Sequence, residues 1–263
     1  VQRLRRLLSL RSARQSEGAF VVEGAKVLSE ALAAGVAVES VFAPAGTSDP
    51  VLDAAHGAGA RLFELSPGVL ERVAGTSTPQ PLLAVVPAVD VPLERVRGAS
   101  FVLVLVDVRD PGNAGTVLRS AEAAGAGAVI CCEGSVDAFN PKTVRASAGS
   151  LFHVPLVVGC DALQVLDQIG QWGVRRLATA ARLGTPHTSV DLRSPFAFVL
   201  GNEAHGLPPH VAEVVDEVVT IPLAGRSESL NVGMAAAVLC FEAARQRAAA
   251  PDEARPRRGG SPG

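Results

Sequence analysis

The chain has 263 residues, of which 48% are hydrophobic and 19% charged, with a formal net charge of −2. That length and composition support a sizeable core and exclude an intrinsically disordered chain. A near-neutral total excludes a uniformly basic polyanion binder, and the longest apolar runs, Phe101 to Val106 and Ala235 to Phe241, fall short of the ~18 residues a membrane span needs.

Residues 1–16 contain five arginines, Arg3, Arg5, Arg6, Arg11 and Arg14, and no acid. They read as one helix near 2–14 whose cations suit RNA phosphates, although a transit peptide shares the pattern. Strands are expected at 20–22, 40–43, 61–65 and 82–86, alternating with helices near 25–34, 50–58 and 67–73. Residues 1–98 hold ten basic and ten acidic side chains, so half of this part's positive charge lies in the opening arm. Pro87, Pro92 and the charged stretch Glu94 to Arg97 then break the alternation. A first unit at 1–90 and a linker at 91–98 follow from that break.

A second series opens with Phe101–Val106, apolar throughout as befits a strand covered on both faces. Further strands are expected at 127–132, 154–158, 175–180, 196–200 and 217–221, with helices near 114–124, 141–147, 162–171, 208–214 and 231–247. The alternation predicts an α/β unit with a mostly parallel sheet over 99–248. Residues 249–263, rich in Ala, Pro, Arg and Gly, read as a disordered tail. Ligands of such sheets bind beyond the carboxyl ends of strands, which directs attention to the loops after 106, 180, 200 and 221.

Several chemistries find no support. Cys131, Cys132, Cys160 and Cys240 lack CxxC spacing, pointing to reduced core thiols and a soluble, cytoplasmic protein. The five histidines show no paired ligand spacing, so no metal is expected; His205, set in a glycine loop, is the one singled out for function. Gly125-Ala126-Gly127 lacks the third glycine of a dinucleotide fingerprint, neither Lys26 nor Lys142 follows a Walker loop, and Ser227 and Ser229 lack a nucleophile elbow.

Three polar clusters fall at strand ends. The first runs from Asp107 to Ala121; there Pro111-Gly112 makes a turn, Asn113 is suited to cap the next helix, and Arg119 falls near its second turn. The second is Gly201-Asn202-Glu203-Ala204-His205-Gly206-Leu207, in which two glycines bracket Glu203 and permit a tight loop. The third joins Ile221-Pro222 to Glu228-Ser229-Leu230-Asn231-Val232, with Asn231 a natural cap for the last helix.

Taken together, Asn113-x-Gly115-Thr116-x-x-Arg119-Ser120-Ala121 and the second and third clusters resemble the three motifs of the SpoU/TrmH family of RNA ribose 2′-O-methyltransferases, in the SPOUT class. The first unit, marked by Phe20-Val21-Val22-Glu23-Gly24, resembles an L30e-like RNA substrate-binding domain. The resemblance implies a deep trefoil knot, S-adenosylmethionine bound in a bent conformation, an obligate homodimer, and an RNA substrate, rRNA before tRNA. It also implies that backbone groups at Gly201, Ile221 and Leu230 hold the cofactor while Asn113, Arg119, Glu203, Ser229 and Asn231 form the polar catalytic set. The sequence departs from the family at Gly233-Met234, where a Ser-Val pair is commoner.

Methyl transfer to a ribose hydroxyl requires alignment with a sulfonium methyl and stabilisation of the alkoxide as it forms. Arg119 is the best-placed cation for that role. The last helix, with Val232, Ala235, Ala236, Leu239 and Ala243 at helical spacing, is expected to form the dimer interface. Three other readings stay open: a tRNA 2′-O-methyltransferase, a non-catalytic RNA-binding or ribosome-assembly protein keeping the fold, and a nucleotide-dependent oxidoreductase without its glycine fingerprint.

Overall fold

A computed structural model describes residues 1–74 and 80–249. The expected tail therefore lies, apart from Ala249, outside the described residues. In the first part, β1 (Ala19–Glu23), β2 (Ser40–Pro44), β3 (Arg61–Leu65) and β4 (Leu83–Pro87) form a sheet of order β1-β4-β2-β3. β4 runs antiparallel to β1 and β2, and β2 runs parallel to β3. Strand period two sorts the side chains. Phe20, Val22, Val41, Ala84 and Val86 share one cluster with α3 (Ala25–Ala33) and α4 (Pro50–Gly57), whereas Ala19, Val21, Leu65, Leu83 and Val85 meet α1 (Gln2–Ser9) and α5 (Val69–Ala74).

The single helix expected near 2–14 is in fact two. α1 and α2 (Arg11–Glu17) meet at Leu10, whose backbone is extended at φ −116° and ψ 117°. The break turns Arg14 inward, where its Nη1 donates to the Leu7 carbonyl at 2.5 Å, one of the acceptors that a helix end leaves unpaired.

The second sheet contains β5 (Phe101–Leu105), β6 (Ala128–Cys132), β7 (Leu156–Cys160), β8 (Arg175–Ala180), β9 (Thr185–Pro186), β10 (Phe196–Leu200) and β11 (Glu217–Thr220). Its order is β7-β6-β5-β10-β8-β11-β9 and every pairing is parallel. One face packs on α6 (Pro111–Ala123), α7 (Pro141–Ser147) and α10 (Val232–Ala248); the other packs on α8 (Ala162–Gln171) and α9 (Pro209–Ala212). The two-residue edge strand β9 carries no apolar alternation, which is why pattern reading misses it.

The N-terminus of α6 corrects the sequence reading. Asp110, not Asn113, is the cap: Asp110 Oδ1 accepts from the Asn113 amide at 2.8 Å, and Pro111 opens the helix three residues earlier than expected. Arg119 accordingly sits on the third turn rather than the second. Gly115 lets α6 and α7 touch, since a Cβ there would lie 2.4 Å from Ala146 Cβ and 2.7 Å from the Thr143 carbonyl.

The two sheets share one core. The Phe20 ring stacks on Phe139 with centroids 4.7 Å apart, and Arg14–Asp137, Arg145–Glu23 and His153–Glu30 pairs cross the same junction. The stretch 91–98, read as a linker, is packed as well: the Val91 amide donates to the Leu156 carbonyl at 2.8 Å and Val96 is buried. Among the described residues no helix is long and apolar enough to cross a membrane.

Candidate active site

The carboxyl ends of β8, β10 and β11 surround a cavity of about 430 Å³. Its walls are mainly apolar, with Leu207, Val219, Leu223 and Leu239 among them, and its polar members include Thr179, Asn202, Glu203 and Ser229. Gly201, Ile221 and Leu230 all line it. The loop after β10 is folded tightly on itself: Asn202 and Gly206 exchange both backbone hydrogen bonds at 2.9 Å, and Gly206 has φ +69°. A Cβ on Gly201 would come within 2.4 Å of the Gly206 carbonyl carbon, so only glycine permits this fold-back.

A chain of side-chain hydrogen bonds runs beside the cavity. Asn231 Oδ1 accepts from the Gly233 and Met234 amides and so caps α10, as expected. Asn231 Nδ2 donates to Asn113 Oδ1 at 2.7 Å, and Asn113 Nδ2 donates to Glu203 Oε1 at 2.8 Å. The capping bond fixes which end of Asn231 is the donor, and that choice fixes Asn113 in turn. Glu203 also accepts from the Arg109 and Asp110 amides at 3.4 Å. Burial pushes the Glu203 carboxyl up, but the Asn113 amide and the backbone donors outweigh it and hold it below the ordinary carboxylate range. Glu203 is therefore an ionised acceptor at neutral pH, an anchor and not a proton carrier.

Asn202 is a site residue that the sequence reading did not single out. Its Nδ2 donates to the Asp107 carbonyl at 2.9 Å and to Asp107 Oδ2 at 3.3 Å, while its Oδ1 accepts from the Ala204 and His205 amides. Asp107 itself sits at φ +56°, one of two non-glycine positive-φ residues among those described. Aspartate tolerates that conformation better than most side chains, and Asn202 together with the Arg109 guanidinium holds it there. No local motif announces this latch, because its partners stand 95 residues apart.

The remaining predicted residues are dispersed. Ser229 is exposed in the cavity lining. Arg119 is exposed on α6, lies outside that lining and joins none of the ion pairs found among the described residues. Six residues beyond Asn113, it is ~9 Å further along the helix and ~120° around it. His205 is exposed and is not part of the lining. Burial pushes the Cys131 and Cys240 thiols up to about 12, which fits inert core thiols. No cluster of metal-ligating side chains occurs among the described residues.

Of the five N-terminal arginines, Arg14 departs most from its expected role as an RNA contact. Its side chain is 4% exposed and its Nη2 lies 2.6 Å from Asp137 Oδ2, so it is a buried structural cation with no face for a phosphate. Arg3 is engaged by Glu17 and Glu39, both at 2.6 Å, and Arg6 stands 3.8 Å from Glu17. Arg11 donates to the Ser135 carbonyl at 3.2 Å while staying exposed, as Arg5 does.

The last helix shows a second departure. Of the residues expected at a dimer interface, Val232, Ala236, Leu239 and Ala243 are buried within this chain, in one cluster with α6 residues, and Ala235 is half-buried in the cavity lining. The outward stripe of α10 is instead Met234, Val238 and Phe241, which are 60%, 40% and 54% exposed.

Comparison with known proteins agrees with this architecture. Residues 100–241 match the SpoU rRNA Methylase family, and residues 1–84 match the MRM3-like substrate binding domain. The 23S rRNA (guanosine(2553)-2′-O)-methyltransferase RlmP of Bacillus subtilis is 35% identical over 234 residues, covering 89% of this chain and 92% of that protein. The 23S rRNA (guanosine-2′-O-)-methyltransferase RlmB of Ralstonia nicotianae is 35% identical over 206 residues, covering 76% and 83% respectively. Among solved structures, the SpoU methyltransferase AviRb from Streptomyces viridochromogenes, in complex with the cofactor AdoMet, superposes with a TM-score of 0.87 at 28% identity over 94% of this chain and 97% of that one. The chain belongs to the SpoU rRNA methylase family.

Proposed function

We propose that this protein transfers a methyl group from S-adenosylmethionine to a ribose 2′-hydroxyl of 23S ribosomal RNA, acting in the cytoplasm as a homodimer. The observation that carries the reading is the hydrogen-bonded chain Asn231–Asn113–Glu203 beside a largely apolar cavity closed by the Gly201 fold-back. Ribosomal RNA is favoured over tRNA because the match to RlmP spans nearly the whole chain and residues 1–84 match a substrate-binding domain. We assign residues 1–90 to RNA binding and 99–248 to catalysis, joined by 91–98. The return of α10 from the end of β11, near the β9 edge, to α6 supports the trefoil knot that the family resemblance implies.

When bound, S-adenosylmethionine supplies a methyl activated on a sulfonium. Backbone groups at Gly201, Ile221 and Leu230 and the apolar walls would hold it, and a slot of this size and polarity suits a nucleoside joined to an amino acid. Glu203, saturated with donors, fixes the orientation of Asn113, and Asn113 together with Ser229 presents polar groups to the ribose. Arg119 orients the ribose and stabilises the forming alkoxide. Within one chain it stands ~9 Å further along α6 than Asn113 and outside the cavity lining. It does border the exposed face of α10, because Thr116, one turn earlier on the same stripe of α6, packs against Gly233. Pairing two copies through Met234, Val238 and Phe241 buries an otherwise exposed apolar stripe and brings Arg119 of one copy toward the cavity of the other.

Mapping ribose methylation across 23S rRNA from cells with and without the protein tests the assignment. Loss of one 2′-O-methyl mark, restored by wild-type protein and not by the Glu203→Gln variant, is the expected result. An unchanged rRNA map would overturn it.

A further inference from the structure

β3 is the outer strand of the first sheet, paired only with β2 among the described residues. An edge strand that shows apolar side chains invites unwanted pairing, and proteins normally blunt it. Here Leu65 alone of the strand is buried, and Phe63 is 42% exposed. The ring is not loose. It stacks on Phe42 with centroids 5.0 Å apart and planes 15° from parallel, so one face is braced while the side chain stays open to solvent.

The surroundings of this ring are cationic. The Arg61 guanidinium lies 5.8 Å from the Phe63 centroid, at the outer reach of a cation–π contact, on a side chain 66% exposed. Glu39 Oε1 is shared between Arg61 at 2.9 Å and Arg3 at 2.6 Å, and Glu17 takes Arg3 and Arg6. Three arginines thus share two carboxylates along the edge that carries this flat, braced aromatic, while the exposed Glu64, next in the strand, falls on its opposite face. A protein-binding face would instead show a broader apolar centre depleted of charge. Aromatic platforms beside backbone-tracking cations are how proteins hold unpaired bases, since every base offers a π-face.

We infer that Phe63 is a stacking platform for an unpaired base of the RNA substrate, with Arg61 able to cover the base and Arg3 and Arg6 facing the adjoining phosphates. This rests on the RNA-methyltransferase reading above and adds a place where the substrate is gripped, on the opposite unit from the cavity.

The test uses the full chain with a short single-stranded RNA carrying one 2-aminopurine, whose fluorescence is quenched on stacking, and with the duplex of the same strand as comparison. Phe63→Ala should weaken single-strand binding by about tenfold and abolish the quench. Phe63→Trp should retain both, and Phe63→Leu, which keeps an apolar side chain without a π-face, should behave like alanine. Arg61→Ala should lower the salt slope by about one. S-adenosylmethionine binding and the far-UV circular dichroism spectrum should stay at wild-type values in all four variants, with only a small drop in melting temperature where the Phe42 stack is lost. Unchanged RNA affinity in Phe63→Ala, or full function in Phe63→Leu, overturns the platform while leaving methyl transfer by the wild type intact. A change of oligomeric state in Phe63→Ala on light scattering shows a protein interface instead and also overturns it. Failure of the wild-type protein to methylate rRNA overturns the functional reading and this inference with it.

Discussion

The amide of Asn113 donates to Glu203 at 2.8 Å across 90 residues of sequence and ties the start of α6 to the loop after β10. Replacing Glu203 by Gln preserves shape but sets an amide nitrogen among groups that all donate. We expect methyl transfer to fall ~100-fold, the scale for losing one preorganised polar group, measured in single turnover with the cofactor saturating.

The same variant carries a pH signature. A carboxyl whose folded pKa is held below its ordinary value of 4.5 adds stability above that pH and loses it as pH falls through the folded value. Thermal unfolding between neutral and strongly acidic pH should therefore decline less steeply below pH 4.5 in Glu203→Gln than in the wild type. Parallel curves would show that Glu203 is not stabilised by its donors.

Asn202→Ala removes the latch onto Asp107 and the cap of the Ala204 and His205 amides. We expect weaker S-adenosylmethionine binding by calorimetry and a stability loss of ~1–2 kcal/mol, from lost hydrogen bonds in a half-buried loop. Asn202→Asp keeps the cap but faces Asp107 with a second carboxylate, so it should be worse at neutral pH and recover as the pH is lowered. Equal behaviour of the two variants at all pH values would show that the contact with Asp107 is idle.

Arg14→Ala should cost ~3–5 kcal/mol in urea unfolding because it leaves the largely enclosed Asp137 carboxylate, 11% exposed, without its cation. Replacing both partners, Arg14→Met with Asp137→Leu, should recover most of that loss. Neither change should alter the salt slope of RNA binding, whereas replacing Arg5 and Arg11 should flatten it. A flattened slope in Arg14→Met/Asp137→Leu would return Arg14 to the RNA contacts.

Arg119→Ala and Glu203→Gln should each be impaired by ~100-fold or more alone and regain activity when mixed, because a mixed dimer holds one site with both groups intact. Methyl incorporation after co-refolding is the measurement. No recovery would place Arg119 and Glu203 in the same chain's site. Phe241→Asp should yield monomers by light scattering, since it sets a charge in the exposed stripe of α10.

The strand framework was legible because β5, β6 and β10 are runs of buried apolar residues, and α4, α7, α8 and α10 each begin at an Asp or Asn side-chain cap. What escaped was information held between distant residues. Periodicity continues through Leu10, so nothing local marks the break that sends Arg14 to a partner 123 residues away. The positive charge of Arg3 looks free until Glu39 is folded beside it. α10 is apolar on more than one face, so spacing alone could not say that Ala236 and Leu239 turn to α6 while Met234 and Phe241 turn outward. Asn113 offered the chemistry of a cap, and the preceding Asp-Pro pair took that place first.

The stacked pair Phe20 and Phe139 has a consequence for how a substrate is chosen. Because the halves are welded through a common core, two crossing ion pairs and a His153–Glu30 hydrogen bond, the separation between the Phe63 edge and the cavity is set by packing and not by the reach of a tether. Such a body works as a rigid caliper. On the platform proposed for Phe63, an RNA must present an unpaired base and the target ribose a fixed span apart, so its folded shape is what such a body would measure.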